Sequence, residues 1–169
     1  MKHRLATKND LPELKTMFDE IVSNMTKNGI DIWDEFYPYC TFANDIENNC
    51  LYVIENDSSI VAAFGLFDKF GGSDDFDWSN KHLPAMYIGR VGVNINYLNQ
   101  GIGSYVLHIA ETIAKDNKAS HLRLLVVDYN KPAINLYLKN GYSQVPGEHI
   151  ETFAEINTTL HEIGFEKKL

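Results

Sequence analysis

The sequence predicts a single mixed α/β domain over residues 1–169, of the α+β kind, with helices flanking a partly antiparallel central sheet. Three observations predict it. Two apolar runs, Leu51–Ile54 and Ile60–Phe67, flank the tetrapeptide Asn56-Asp57-Ser58-Ser59, which reads as a hairpin turn. Leu122–Val127 is almost continuously apolar, the pattern of a central strand covered on both faces. Between these runs lie segments whose apolar residues recur at helical spacing.

Taken in order, His3–Ala6 reads as a short first strand. Asn9 or Asp10 then caps a helix with Pro12 in its first turn, the stripe Leu14, Met17, Phe18, Ile21, Val22 and Met25 on one face, and Gly29 as its stop. The aromatic-rich stretch Ile32–Asn49 is interrupted by Pro38, and a short helix is expected on each side of it. After the hairpin comes a long loop, Asp68–Leu83, with Gly71-Gly72, four aspartates and Trp78; loops of that length are often functional or mobile. Ala85–Asn94 reads as a strand and Ile102–Asp116 as a strong helix, with Ile102, Val106, Ile109, Ala110, Ile113 and Ala114 on one side. Beyond Leu122–Val127, Asn130 caps a helix that tolerates Pro132 in its first turn and ends at Gly141. A strand near Tyr142–Val145, a loop and a last strand Thr158–Lys167 complete the expectation.

Bulk properties exclude several functions. With 15 Lys and Arg against 23 Asp and Glu the formal charge is −8, and no basic cluster breaks it, so neither nucleic acid nor an anionic membrane is an expected partner. Cys40 and Cys50 match no metal or redox spacing and read as free thiols. No metal is expected. The basic start at Lys2 is not followed by an apolar stretch, and the longest apolar run, Ile60–Phe67, is far short of a membrane span, so a soluble, cytoplasmic protein is expected.

The most informative stretch is a strand, a loop and a helix start: Tyr87-Ile88-Gly89-Arg90-Val91-Gly92-Val93, then Asn94–Asn99, then Gln100-Gly101-Ile102-Gly103-Ser104. Glycines at a helix start let backbone approach a ligand closely, and the first turn supplies unpaired N–H groups at a positive dipole end. Such a turn suits a pyrophosphate. Taken alone, Gly101 and Gly103 are equally consistent with tight packing of helix on sheet. A P-loop would need a Gly-Lys-Ser/Thr sequence, and a dinucleotide fingerprint would need a third glycine where Val106 stands. Neither fits.

About 25 residues downstream comes Asn130-x-x-Ala133-x-x-Leu136-Tyr137-x-x-x-Gly141-Tyr142, and with this partner the stretch from Val91 to Tyr142 resembles the GNAT superfamily of acyl-CoA N-acyltransferases. The resemblance implies a GNAT-like fold and acetyl-CoA as acetyl-donor cosubstrate. It implies that Asn99, Gln100, Gly101, Ile102, Gly103 and Ser104 cradle the pyrophosphate, that Val91 and Val93 hydrogen-bond the pantetheine arm through backbone, and that Asn130 contacts the same arm. Tyr137 is implied to lie near the thioester sulfur as candidate general acid, with thioester polarisation from strand N–H groups near Val91–Val93. One position departs: the family usually has Arg or Gln three residues before the first motif glycine, where this chain has Leu98. A side-chain contact to phosphate is therefore not expected there, and the cradle rests on backbone.

The implied activity is direct acetyl transfer to a primary amine of a small molecule or peptide. Trp33, Glu35 and Tyr37, with Phe36 and Tyr39 nearby, fall where the family places part of the acceptor pocket. No side chain identifies itself as base; Glu35, Tyr87 and Asp128 are candidates, and a water relay needs none. The aspartates at 68, 74, 75 and 77 would favour a cationic amine if their loop borders the acceptor. Two other readings stay open: a non-catalytic acyl-CoA-binding regulatory domain, which Leu98 supports, and an acetyltransferase of protein lysines or N-termini. A homodimer is compatible with each.

Overall fold

The computed structural model describes residues 1–57, 59–153 and 158–169. Seven strands and four helices follow one another as β1 (Lys2–Leu5), α1 (Leu11–Lys27), α2 (Tyr39–Glu47), β2 (Leu51–Asn56), β3 (Ser59–Phe67), β4 (Ala85–Val93), α3 (Ile102–Asp116), β5 (His121–Val127), α4 (Lys131–Lys139), β6 (Ser143–Phe153) and β7 (Thr158–Lys168). The strands form one sheet in the order β1-β2-β3-β4-β5-β7-β6. The β1–β2, β2–β3, β5–β7 and β6–β7 pairs are antiparallel, whereas β4 and β5 are parallel, so the sheet is mixed as expected. The chain forms two compact units, Met1–Leu66 with Ile88–Ile109, and Phe67–Tyr87 with Ala110–Leu169.

In the first unit, α1 buries Leu14, Met17, Phe18 and Ile21, four members of the stripe read from the sequence. Its start is fixed by Asp10, whose Oδ2 accepts from Thr7 N at 2.6 Å, and whose carboxylate takes two bonds of 2.8 Å from Arg4. It ends at Asn28, and Gly29 follows at φ +71°. The core here gathers Leu14, Phe18, Phe42, Leu51 and Val53, with Phe18 and Phe42 edge to face at 4.8 Å. The expected turn at residues 56–59 includes residue 58, which lies outside the described residues.

A helix forms only after Pro38, not on both sides of it. Proline disfavours the helical region for the residue before it. Asp34 also offers the backbone a competing arrangement, its Oδ1 accepting from Phe36 N at 2.8 Å and from Tyr37 N at 2.7 Å.

In the second unit the Asp68–Leu83 segment is anchored rather than loose. Phe76 and Trp78 are buried with Tyr87 and Val145, Trp78 Nε1 donates to Ser73 O at 2.6 Å, and Asp77 N donates to Pro146 O at 2.8 Å. The C-terminal hairpin is longer than expected, because β6 runs on to Phe153 where a loop was expected after Val145. Pro146 and Gly147 follow Val145 directly. They fall at the register shift between Val145 and His149, on the edge strand of the sheet, where a missing N–H costs no ladder bond. Residues 154–157, the remainder of the expected loop, lie outside the described residues.

Candidate functional site

Two pieces of structure carry the residues singled out by the sequence, one in each unit. Parallel pairing of β4 with β5 covers Ala85–Tyr87 against His121–Arg123, within the second unit, whereas Val91 and Val93 lie beyond that stretch, in the first. Arg90 interrupts the strand with φ +53°, an unusual angle for a side-chain-bearing residue. Its guanidinium is fixed by Asp45 of α2, Nη1 donating to Oδ2 at 2.7 Å, and Thr41 Oγ1 donates to the same oxygen at 3.1 Å. Gly92 has a packing role: a Cβ there would stand 2.5 Å from Phe18 Cζ. Neither device is legible in the sequence, because each depends on a partner 45 or more residues away.

The loop to α3 is held by its own side chains. Asn94 N donates to Val61 O at 2.9 Å, Asn94 Oδ1 accepts from Asn96 N at 3.0 Å, and Gln100 Nε2 donates to Asn96 O at 3.1 Å. Gln100 thus serves the loop with its side chain. Asn99 and Gly101 both take left-handed backbone angles, φ +61° and +81°. This reversal turns the chain into α3, whose first α-helical bond runs from Tyr105 N to Gly101 O at 3.0 Å. The leading amides of the helix, Ile102 and Gly103 among them, have no carbonyl one turn behind them. Nothing lies within 4 Å of where a Gly101 Cβ would be, so the space over the turn is open. Ile102 and Val106 point into the core, and Leu98 stands 43% exposed just before the turn. A helix start of this kind can receive an anion on its backbone.

In the second unit, Asn130 caps α4, its Oδ1 accepting from Ala133 N at 3.3 Å. Pro132 sits in the first turn, and Gly141 closes the end at φ +82°. Tyr137 is 7% exposed, with its ring 6.0 Å from Tyr142 and 6.2 Å from Phe165. Burial pushes its phenol up to about 12. Tyr142 donates to Glu111 Oε1 at 3.2 Å, and Lys167 Nζ binds both oxygens of that carboxylate at 2.8 and 2.9 Å. Burial, followed by the Glu111 charge, raises Tyr142 further still.

The expected acceptor residues differ in burial. Trp33 is packed against the core, 5.7 Å from Phe18, while Glu35, Phe36 and Tyr37 are exposed. Among the base candidates, Asp128 is exposed, and Tyr87 is a buried ring whose hydroxyl accepts from Arg123 Nη1 at 3.4 Å. Tyr87 is therefore part of the packing. Among the described residues, no helix is long and apolar enough to cross a membrane.

The sequence model of the Acetyltransferase (GNAT) family matches residues 15–142. The chain belongs to this family of acetyltransferases. Over 103 residues it is 28% identical to YwnH of Bacillus subtilis (strain 168), which bears the provisional name phosphinothricin acetyltransferase; the match covers 61% of this chain and 59% of that one. It is 35% identical over 87 residues to thialysine N-epsilon-acetyltransferase of Sus scrofa, covering 52% of this chain and 47% of the relative. The matched stretches thus span about half the length of these curated relatives. The fold is shared with a GNAT-family acetyltransferase from Streptococcus agalactiae 2603, at TM-score 0.81 and 17% identity over 99% of this chain and 95% of that one. It is shared too with yncA of Salmonella typhimurium, solved with acetyl-CoA, at TM-score 0.65 and 14% identity over 99% and 93%. At such identities the solved structures establish the fold.

Proposed function

We propose that this chain transfers the acetyl group of acetyl-CoA directly to a primary amine of a small molecule or peptide. The observation that carries the reading is the turn at Asn99–Gly101, whose paired left-handed residues lead into α3 with open space where a Gly101 side chain would stand. Family membership supplies the donor that such a site suits.

In this reading, Gly101, Ile102, Gly103 and Ser104 receive the pyrophosphate on backbone N–H groups, with Asn99 and Gln100 shaping the turn. The exposed Leu98 adds no charge, so affinity rests on those amides. Val91 and Val93 bind the pantetheine arm through backbone, and Asn130, its Oδ1 engaged as a cap, contributes from its Nδ2 side. Bound acetyl-CoA supplies an activated acyl carbon for the amine to attack.

Tyr137 meets the leaving sulfur as a hydrogen-bond donor. With the phenol at about 12 and a thiol near 8.5, complete transfer of the proton is uphill by roughly 5 kcal/mol. The burial that raises the tyrosine also disfavours a bare thiolate and narrows this gap. The donor therefore stabilises charge developing on sulfur and gives up its proton late. No side chain of this chain is assigned as base; the amine enters neutral or loses its proton to water.

The test is a thiol-release assay with acetyl-CoA against an amine panel that includes phosphinothricin, thialysine and peptides with N-terminal alanine. Turnover with one class supports the reading and names the acceptor. Saturable acetyl-CoA binding with no release across the panel favours a regulatory, non-catalytic domain, the alternative that Leu98 keeps in play.

A further inference from the structure

We propose that His149, Glu151 and Glu162 form a site for a divalent transition metal such as Zn2+ on one face of the β6–β7 hairpin, with Asp75 as the residue that positions the histidine. His149 and Glu162 are direct partners in the β6–β7 register. Glu151 follows His149 by two residues along β6, so the strand's period of two returns it to the same face. One ligand atom from each of the three lies within 4.8 Å of the others. A tetrahedral zinc ion held at about 2.0–2.2 Å from each donor requires donor separations of about 3.3–3.6 Å. A small inward turn of Glu151, which is exposed, meets that requirement.

The histidine is prepared for the role. Its Nδ1 lies 2.6 Å from Asp75 Oδ2, and since a carboxylate accepts, Nδ1–H donates. That bond leaves Nε2 carrying the lone pair, the tautomer that binds a metal, in the carboxylate–histidine arrangement that supports metal-bound imidazoles. The ring is also seated on backbone. Gly72 lies against it at φ +76°, where a Cβ would come 2.5 Å from His149 Cγ. Glu162 is half-buried and has lost part of its water. Two carboxylates and a neutral imidazole match a dication in charge and leave a fourth, open position on a tetrahedral ion.

No local spacing announced this site, and the sequence reading expected no metal. Two ligands stand on β6 and the third comes from the neighbouring strand, so only the register unites them. The inference does not depend on the proposed acetyl transfer, and its test reads metal binding alone.

The full chain is freed of metal with a chelator and titrated calorimetrically with ZnCl2, with Co2+ absorption as a second signal. The expected result is one equivalent bound per chain and a rise in melting temperature. His149→Gln and Glu162→Gln should each weaken binding at least tenfold, Glu151→Gln should weaken it too, and Asp75→Asn should weaken it about 10–100-fold. Melting without metal identifies a variant that fails to fold; Glu151→Gln changes an exposed side chain and keeps the test sound in that event. No saturable one-to-one binding by the parent chain, or an affinity unchanged from the parent in Glu151→Gln and His149→Gln, overturns the proposal and leaves a histidine–carboxylate salt network.

Discussion

Arg123 and Glu166 stand opposite one another in the β5–β7 register, and their side chains, 3% and 8% exposed as residues, meet with Nε 3.3 Å from Oε2. Each also holds Ser79: Arg123 Nη2 donates to its carbonyl at 2.9 Å, and its N–H donates to Glu166 Oε1 at 2.8 Å. The guanidinium lies over the Trp78 ring at 5.2 Å. A buried ion pair thus fastens the end of the Asp68–Leu83 segment within the second unit.

Removing one partner strands a buried charge. Glu166→Ala is expected to destabilise the protein by about 3–5 kcal/mol, while the double apolar replacement Arg123→Met with Glu166→Leu costs markedly less. Urea unfolding of the three proteins checks this. A Glu166→Ala loss under about 1 kcal/mol would mean that the clamp contributes little.

Gly92 and Gly101 are both motif-region glycines, but for different reasons. A Cβ on Gly92 would sit 2.5 Å from Phe18 Cζ, whereas one on Gly101 meets nothing and suffers only the φ of +81°. Gly92→Ala should therefore cost about 1–3 kcal/mol of stability through overpacking, and Phe18→Leu in the same chain should recover part of it. Gly101→Ala should cost about 1–2 kcal/mol through its backbone angle, with acetyl-CoA affinity reduced roughly tenfold. Thermal melts and acetyl-CoA titrations separate the two; equal effects on both readouts would contradict the distinction.

Much of this was legible beforehand. Ile102–Asp116 emerged as α3 with the expected bounds, since a strong apolar stripe and a glycine entry coincide there. Gly29 and Gly141 end their helices at positive φ as read. What failed has a common cause in distant partners. Phe76 and Trp78 looked like loop residues because the apolar neighbours that bury them, Tyr87 and Val145, lie elsewhere in the sequence. Pro146 hid a strand because only the sheet order shows it to be an edge. Trp33 reads identically as pocket or core until Phe18 is seen beside it.

Tyr137→Phe should lower the chemical rate by about 10²-fold and leave acetyl-CoA affinity nearly unchanged. Because burial holds the phenol protonated up to about 12, the parent enzyme should show no alkaline loss of kcat from this group between pH 7 and 10. Steady-state kinetics across that range are the check. Full activity in the variant would remove the assigned role.

Asp10 links stability to acid. Its hydrogen bonds from Arg4 hold its carboxyl down to about 2, below the unfolded value of 3.8. A depressed folded pKa stabilises the protein above the unfolded value, and the contribution is lost as pH falls from about 4 through about 2. Arg4 is 38% exposed along its side chain, so after screening the contribution is on the order of 1 kcal/mol. Arg4→Gln should lose that amount at pH 7 and much less near pH 2, as read by denaturant unfolding. An equal loss at both pH values would place the effect outside this ion pair.

The most direct measurement is hydrogen exchange at the backbone amides of Gly101–Ser104 with and without acetyl-CoA. Binding through the opening turn of α3 predicts saturable slowing of exchange at Ile102 and Gly103, reproduced by CoA and shifted to roughly tenfold higher ligand concentration in Gly101→Ala. Unchanged exchange at these amides under saturating acetyl-CoA would contradict the account.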